Sequence, residues 1–195
     1  MTTLDSLYDG TGDAHGVHPI RAHNTFFERV EEGLDGAVGL GARFAFLAVL
    51  AMYYLNSALT KVGSGLPGAL VPTDGAYVQI LPHVMEQVGY DSTQIGFFGD
   101  LVVYAGTYAE FILPVLLVIG LFTRLAALGM IGFVFVQSAV DILYHGADET
   151  TIGALFDRVS DSAILDQRLL WVTLLAILIV KGGGWLSLDR LLRIR

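Results

Sequence analysis

Four blocks of apolar residues constrain this chain more than any other feature: about 38–58, 97–122, 125–144 and 164–180. A hydrocarbon layer about 30 Å thick needs roughly 20 mostly apolar residues per helix, because a helix rises about 1.5 Å per residue. The first three blocks meet that length. The fourth carries Asp166, Gln167 and Arg168 in its first turn and is unbroken only from Leu169 to Val180. It still reads as a span, with Trp171 and Trp185 as interface anchors. The expected fold is all-α, a transmembrane four-helix bundle.

Composition agrees. Charged residues make up 15% of the chain and hydrophobic ones 54%, against about 25% charged in soluble proteins. A net charge of −8 without any basic patch argues against nucleic acid as a partner. The absence of cysteine excludes disulfides, thiolate metal sites, cysteine-ligated iron–sulfur clusters and covalent c-type haem. Bis-histidine haem within the bundle needs two histidines at matched depth. His15, His18 and His23 precede the first block, His83 falls in a loop and His145 ends the third block, so no intrinsic cofactor is expected.

An even number of spans places both ends on one side. Arg21, Arg29, Arg43, Arg124, Lys181, Arg190, Arg193 and Arg195 flank that side, and only Lys61, Arg158 and Arg168 fall in the two intervening loops. This asymmetry predicts both termini in the cytoplasm, and the expected location is a bacterial inner membrane. The first 37 residues contain no apolar signal-peptide core, so the first block is expected to act as its own targeting signal.

Three regions are expected: a cytoplasmic tail and amphipathic helix (1–37), the transmembrane domain (38–190) and a short basic tail (191–195). Residues 1–23, rich in Asp, Gly, Thr and His, read as disordered. After them Phe26, Phe27, Val30, Leu34 and Val38 recur at helical spacing opposite Glu28, Glu31, Glu32 and Asp35, as in a helix lying on a surface. In the outer loops, Ile80, Leu81, Val84, Met85 and Val88 predict one helix, and Ile152, Leu155, Phe156 and Val159 predict another.

Charges inside a bilayer need a partner or a purpose. Arg43 and Glu110 lie toward the inner side of the first and second spans, and an interhelical Arg43–Glu110 pair is expected. Pro114 cannot bond the Glu110 carbonyl four residues earlier, which leaves an acceptor free beside the acid. A structural salt bridge and a proton-carrying or ligand-binding acid are both open readings.

A second constellation occupies the outer half. Gln137, Asp141 and His145 are spaced four apart on the third span, as are Asp100, Tyr104 and Tyr108 on the second, and Asn56 and Lys61 end the first. These residues are expected to face one vestibule. Three readings compete for it: a self-satisfied polar network, a pocket for a small molecule or quinone headgroup, and a metal site in which His83 or Glu86 joins Asp141 and His145.

The stretch Ala109-Glu110-Phe111-Ile112-Leu113-Pro114, followed by Ile119-Gly120-Leu121-Phe122-Thr123-Arg124-Leu125-Ala126-Ala127-Leu128, resembles the hallmark of the DoxX family of small four-helix membrane proteins. Arg43, with Asn56, Ser57 and Lys61, and the later Gly184-Trp185-Leu186-Ser187-Leu188-Asp189 are similar to that family as well. The resemblance implies a subunit associated with a redox or quinone-linked membrane assembly. With no redox centre of its own, the chain is at most a non-catalytic or quinone-binding subunit of an oxidoreductase. Expected partners are membrane lipid and other membrane or periplasmic subunits, or further copies of the chain. The alternatives are a small-solute transporter and a purely structural accessory subunit.

Overall fold

The computed structural model describes the chain from Val17 to Ile194, and every described element is helical. Helix α1 (Val17–Phe46) passes through a single π turn (Leu47–Ala51) into α2 (Met52–Leu59). Three short helices follow: α3 (Gly65–Gly68), α4 (Asp74–Ile80) and α5 (Pro82–Gln87). The two longest remaining spans are α6 (Phe97–Ile119) and α7 (Thr123–Leu143). Then come α8 (Glu149–Ile152), α9 (Leu165–Lys181) and α10 (Leu188–Leu191).

Among the described residues, three helical stretches are long and apolar enough to cross a membrane: Ile20–Leu59, Phe97–Ile119 and Thr123–Leu143. Helix α9 has 17 residues, about 26 Å at helical rise and at the short end of what spans a bilayer.

The chain divides into two compact units at Asp35 and Gly36. In the first, the described residues form the N-terminal part of α1. The expected separate surface helix at 25–38 is therefore a stretch of one continuous helix, with no proline between it and the apolar block. Residues 17–23, expected to be disordered, are helical. Residues 1–16 lie outside the described part.

In the second unit α7 packs between α6 and α9, and α6 packs on the π turn and α2. The core joins Phe46, Leu50 and Tyr54 of the first span to Leu117, Met130, Val134, Leu175 and Leu178 of the others. A smaller core of Ala76, Tyr77, Met85, Ile95 and Val103 seats α4 and α5 against the N-terminal part of α6. The loop helix expected around residues 80–88 is thus two helices, broken at Leu81, whose φ of −125° and ψ of 54° precede Pro82. Proline disfavours helical geometry in the residue before it.

The helix expected at 152–159 does not form. Helix α8 ends at Gly153, whose φ is +75°, and Phe156 is left-handed at +67° and fully exposed. A Cβ on Gly153 would stand 2.0 Å from the Ser162 hydroxyl oxygen, so the turn is closed by packing that periodicity does not encode.

Candidate functional site

One end of the bundle is locked by charges spent on helix termini. The last carbonyls of a helix have no partner within it and attract cations. Buried Arg43 meets that need for α6: its Nε donates to the Leu117 carbonyl at 3.0 Å and its Nη2 to that of Val118. Its Nη1 donates to Gly183 and Leu186 carbonyls at 2.9 and 2.7 Å, which ties in the segment after α9. Arg124 caps α9 in the same way, donating to the Ile179 carbonyl at 2.9 Å. Asp189 caps α7, accepting from the amides of Phe122 and Thr123 at 2.6 and 2.8 Å. Gly39 permits the close approach of α1 to this lock, since a Cβ there would lie 2.6 Å from the Gly182 carbonyl oxygen.

The expected Arg43–Glu110 pair is therefore replaced. Glu110 is bound instead by Lys61, whose Nζ lies 2.8 and 3.1 Å from Oε2 and Oε1. Both residues are buried, at 5% and 4% exposure. Lys61 also donates to Ser57, at 2.8 Å to Oγ and 3.3 Å to the carbonyl. The turn after α2 folds Lys61 inward, and the Thr73 amide bonds the Lys61 carbonyl at 2.9 Å to hold that turn. Four carbonyl acceptors claim the Arg43 guanidinium instead.

The pair lines a cleft of about 420 Å³ between α6 and α7. On α6 the wall is Val102, Ala105, Gly106, Ala109, Glu110 and Leu113, one face at helical spacing. Gly129, Phe133, Val136, Gln137, Val140 and Asp141 form the α7 wall, with His145 beyond the helix end and Gln79 and Ile80 contributed by α4. Ile80 is held close by Gly106, where a Cβ would stand 3.2 Å from its Cδ1. Ligand pockets commonly pair mostly apolar walls with a few placed polar groups in this way.

Of the residues expected in one vestibule, Lys61, Gln137, Asp141 and His145 meet in the cleft. Asn56, Asp100, Tyr104 and Tyr108 do not. At about 100° per residue, positions 100, 104 and 108 fall on the face of α6 opposite 102, 106 and 113. There Asp100 accepts from the Tyr77 hydroxyl at 2.8 Å, and Tyr108 donates to the Leu70 carbonyl at 3.0 Å. Burial and then that hydrogen bond push the Tyr77 hydroxyl up to about 12. Tyr104 stacks loosely on Tyr108, and Asn56 is exposed.

At the outer rim, Asp141 Oδ1 lies 3.1 Å from His145 Nδ1, and Oδ2 accepts from Arg168 of α9. Arg168 also donates to Ser138 Oγ at 2.8 Å. Gln137 bridges two tyrosines: it donates to the Tyr53 hydroxyl at 2.9 Å and accepts from Tyr54 at 3.4 Å. Sequence spacing shows neither the Arg168–Asp141 pair nor the part played by Gln79, because both join elements remote in the chain.

His83 lies 3.0 Å from Gln87 Nε2 and is stacked on Tyr144, with no bond to Asp141 or His145. No group of three or more His, Asp or Glu side chains placed to hold a metal ion occurs among the described residues. The expected set of His83, Asp141 and His145 is thus not assembled.

The Glu110-bearing helix, the tight turn closed by Asp189 and the following span fall within the segment matched by the DoxX family model, residues 46–145, or adjoin it. The chain belongs to the DoxX family. No curated protein and no solved structure matches it. Within this DoxX protein the family turn has a structural role: Gly120 takes φ +69° to leave α6, and the helix caps that meet there close the bundle at the end opposite the outer rim. It is an integral membrane protein whose apolar helices meet lipid.

Proposed function

We propose that this protein is a membrane subunit supporting a quinone-linked redox assembly, with the cleft between α6 and α7 taking the head of a quinone-class molecule while a partner subunit holds the redox centre. The observation that carries the reading is an apolar-walled cleft of about 420 Å³ inside the bundle that ends on a buried Lys61–Glu110 pair. Family membership supports the redox setting. A chain with no cysteine and no pair of histidines at matched depth in its spans needs such a partner to move electrons. The acidic outer loops are its candidate docking surface, and a second copy is the other candidate partner.

We infer that both termini face the cytoplasm, because eight basic residues flank one side and three the other, and that the membrane is a bacterial inner membrane. Cysteines introduced at Asp91 and Asp148 should react with impermeant thiol reagents from outside. Labelling from the cytoplasmic side alone contradicts this orientation.

Complete pairing of the cleft's charges also suits a purely structural subunit. Purification in mild detergent, followed by mass spectrometry of extracted lipids and copurifying proteins, separates the two. A retained quinone-class molecule that is lost in Val136→Trp supports the proposal. A ligand-free protein bound to one structural partner points to the structural role.

A further inference from the structure

The hydrogen-bonding state of the cleft floor selects which form of a ligand it accepts. We propose that the cleft binds, from the bilayer side, an uncharged membrane-soluble molecule whose head carries a hydroxyl, and that this hydroxyl donates to Glu110. For the quinone class proposed above, on which this inference rests, the selected form is the reduced one, the quinol.

Three observations lead there. The first is access. Val102 and Val136, on the cleft's lips, are 49% and 63% exposed on helices apolar enough to lie in a membrane. Ala105 between them is also exposed. Acyl chains therefore meet the lips directly, and a ligand with a long apolar tail can enter sideways while its tail stays in lipid.

The second is charge. Lys61 is matched by Glu110 and Asp141 by Arg168, so the lining is electrically balanced when His145 is neutral. An anionic or cationic head entering this low-dielectric space would lose its hydration without gaining a counter-charge. A neutral head avoids that loss.

The third is the supply of donors and acceptors at the floor. An ammonium has three protons. Those of Lys61 already face Glu110 Oε1, Glu110 Oε2, Ser57 Oγ and the Ser57 carbonyl, four acceptors for three donors. No donor is left for a ligand carbonyl. The Glu110 carboxylate has about four acceptor positions, of which Lys61 uses two. The Lys61–Glu110 pair thus offers acceptors and no free donor, which suits a hydroxyl and not a carbonyl.

Depth keeps the rim from reversing this preference. Leu113 and Gly129 are at one level, because a Cβ on Gly129 would stand 3.1 Å from Leu113 Cδ2. Counting outward along antiparallel helices puts Asp141 roughly 14 Å beyond Glu110. One small ring cannot engage both.

The test uses the full chain in lipid nanodiscs, kept anaerobic, with a decyl-substituted benzoquinone and its quinol as probes. They share size and tail and differ in whether the head oxygens donate or only accept. The quinol should bind at least about tenfold more tightly, as expected for a hydrogen bond to a charged acceptor. The double variant Lys61→Met, Glu110→Gln keeps the floor neutral and supplies both a donor and an acceptor. It should bind both probes within about threefold of each other. Val136→Trp, which leaves the floor intact, should weaken both probes equally. Equal affinities in the natural chain, or tighter binding of the oxidised probe, overturn the quinol selection and leave the quinone-site reading standing. If neither probe binds, both fall. A double variant that keeps the quinol preference overturns the assignment to Glu110.

Discussion

Arg168 on α9 reaches across to Asp141 on α7 and holds both that carboxylate and the Ser138 hydroxyl, joining the two helices at the cleft's outer rim. The two partners are unequally placed: the Arg168 side chain is 9% exposed and that of Asp141 26%. Removing one partner of a buried pair is costly because the other charge stays buried. Asp141→Asn, which strands the deeper charge, should therefore destabilise more than Arg168→Gln, by up to about 3 kcal/mol. Thermal unfolding in detergent measures this, and the reverse order would mean that Asp141 is not the principal partner.

Arg43 should tolerate no conservative replacement. Its planar guanidinium serves four carbonyls on two segments, a geometry that an ammonium cannot reproduce. Arg43→Lys should cost about 1–3 kcal/mol, the range for polar groups left buried and unsatisfied. An unchanged unfolding midpoint would show that these carbonyls find other donors.

Asp189→Ala should loosen the turn between α6 and α7 by removing the acceptor of the Phe122 and Thr123 amides. A lost N-cap costs about 0.5–2 kcal/mol. Phe122 has φ +48°, a conformation glycine adopts without penalty, so Phe122→Gly in the natural chain should cost little or stabilise. Paired melting curves test both expectations.

Acid should release the loop at α8. The Thr151 amide and the Thr150 hydroxyl donate to Asp148 and hold its carboxyl below the ordinary range. A depressed folded pKa contributes stability that is present above the unfolded pKa and is lost as pH falls through the folded one. The Thr151 amide resonance should stay in place at neutral pH and shift only below the ordinary carboxylate range, and Asp148→Asn should abolish that titration. A shift near neutrality would contradict the capping role.

Hydropathy made the three long apolar helices legible, because lipid demands long apolar runs whatever the tertiary detail. The cleft was half legible. Gln137, Asp141 and His145 share a face by spacing alone, but which side of α6 faces them depends on packing, so Asp100, Tyr104 and Tyr108 were drawn to the wrong side. Arg43 was misassigned for a related reason: a carboxylate can be read from a sequence, whereas the unpaired carbonyls at the end of α6 appear only when the helix ends and its neighbours are in place. Lys61 ranked as a rim residue because nothing local reveals that the turn after α2 folds its side chain inward.

The central claim is that Lys61, and not Arg43, neutralises Glu110 at the floor of the cleft, and a double-mutant cycle on unfolding stability tests it most directly. Lys61→Met and Glu110→Gln should each destabilise the protein, and the double variant should recover at least about 1 kcal/mol of the summed loss, while Arg43→Met and Glu110→Gln should combine additively within about 0.5 kcal/mol. Coupling of Glu110 to Arg43 with none to Lys61 would contradict the account.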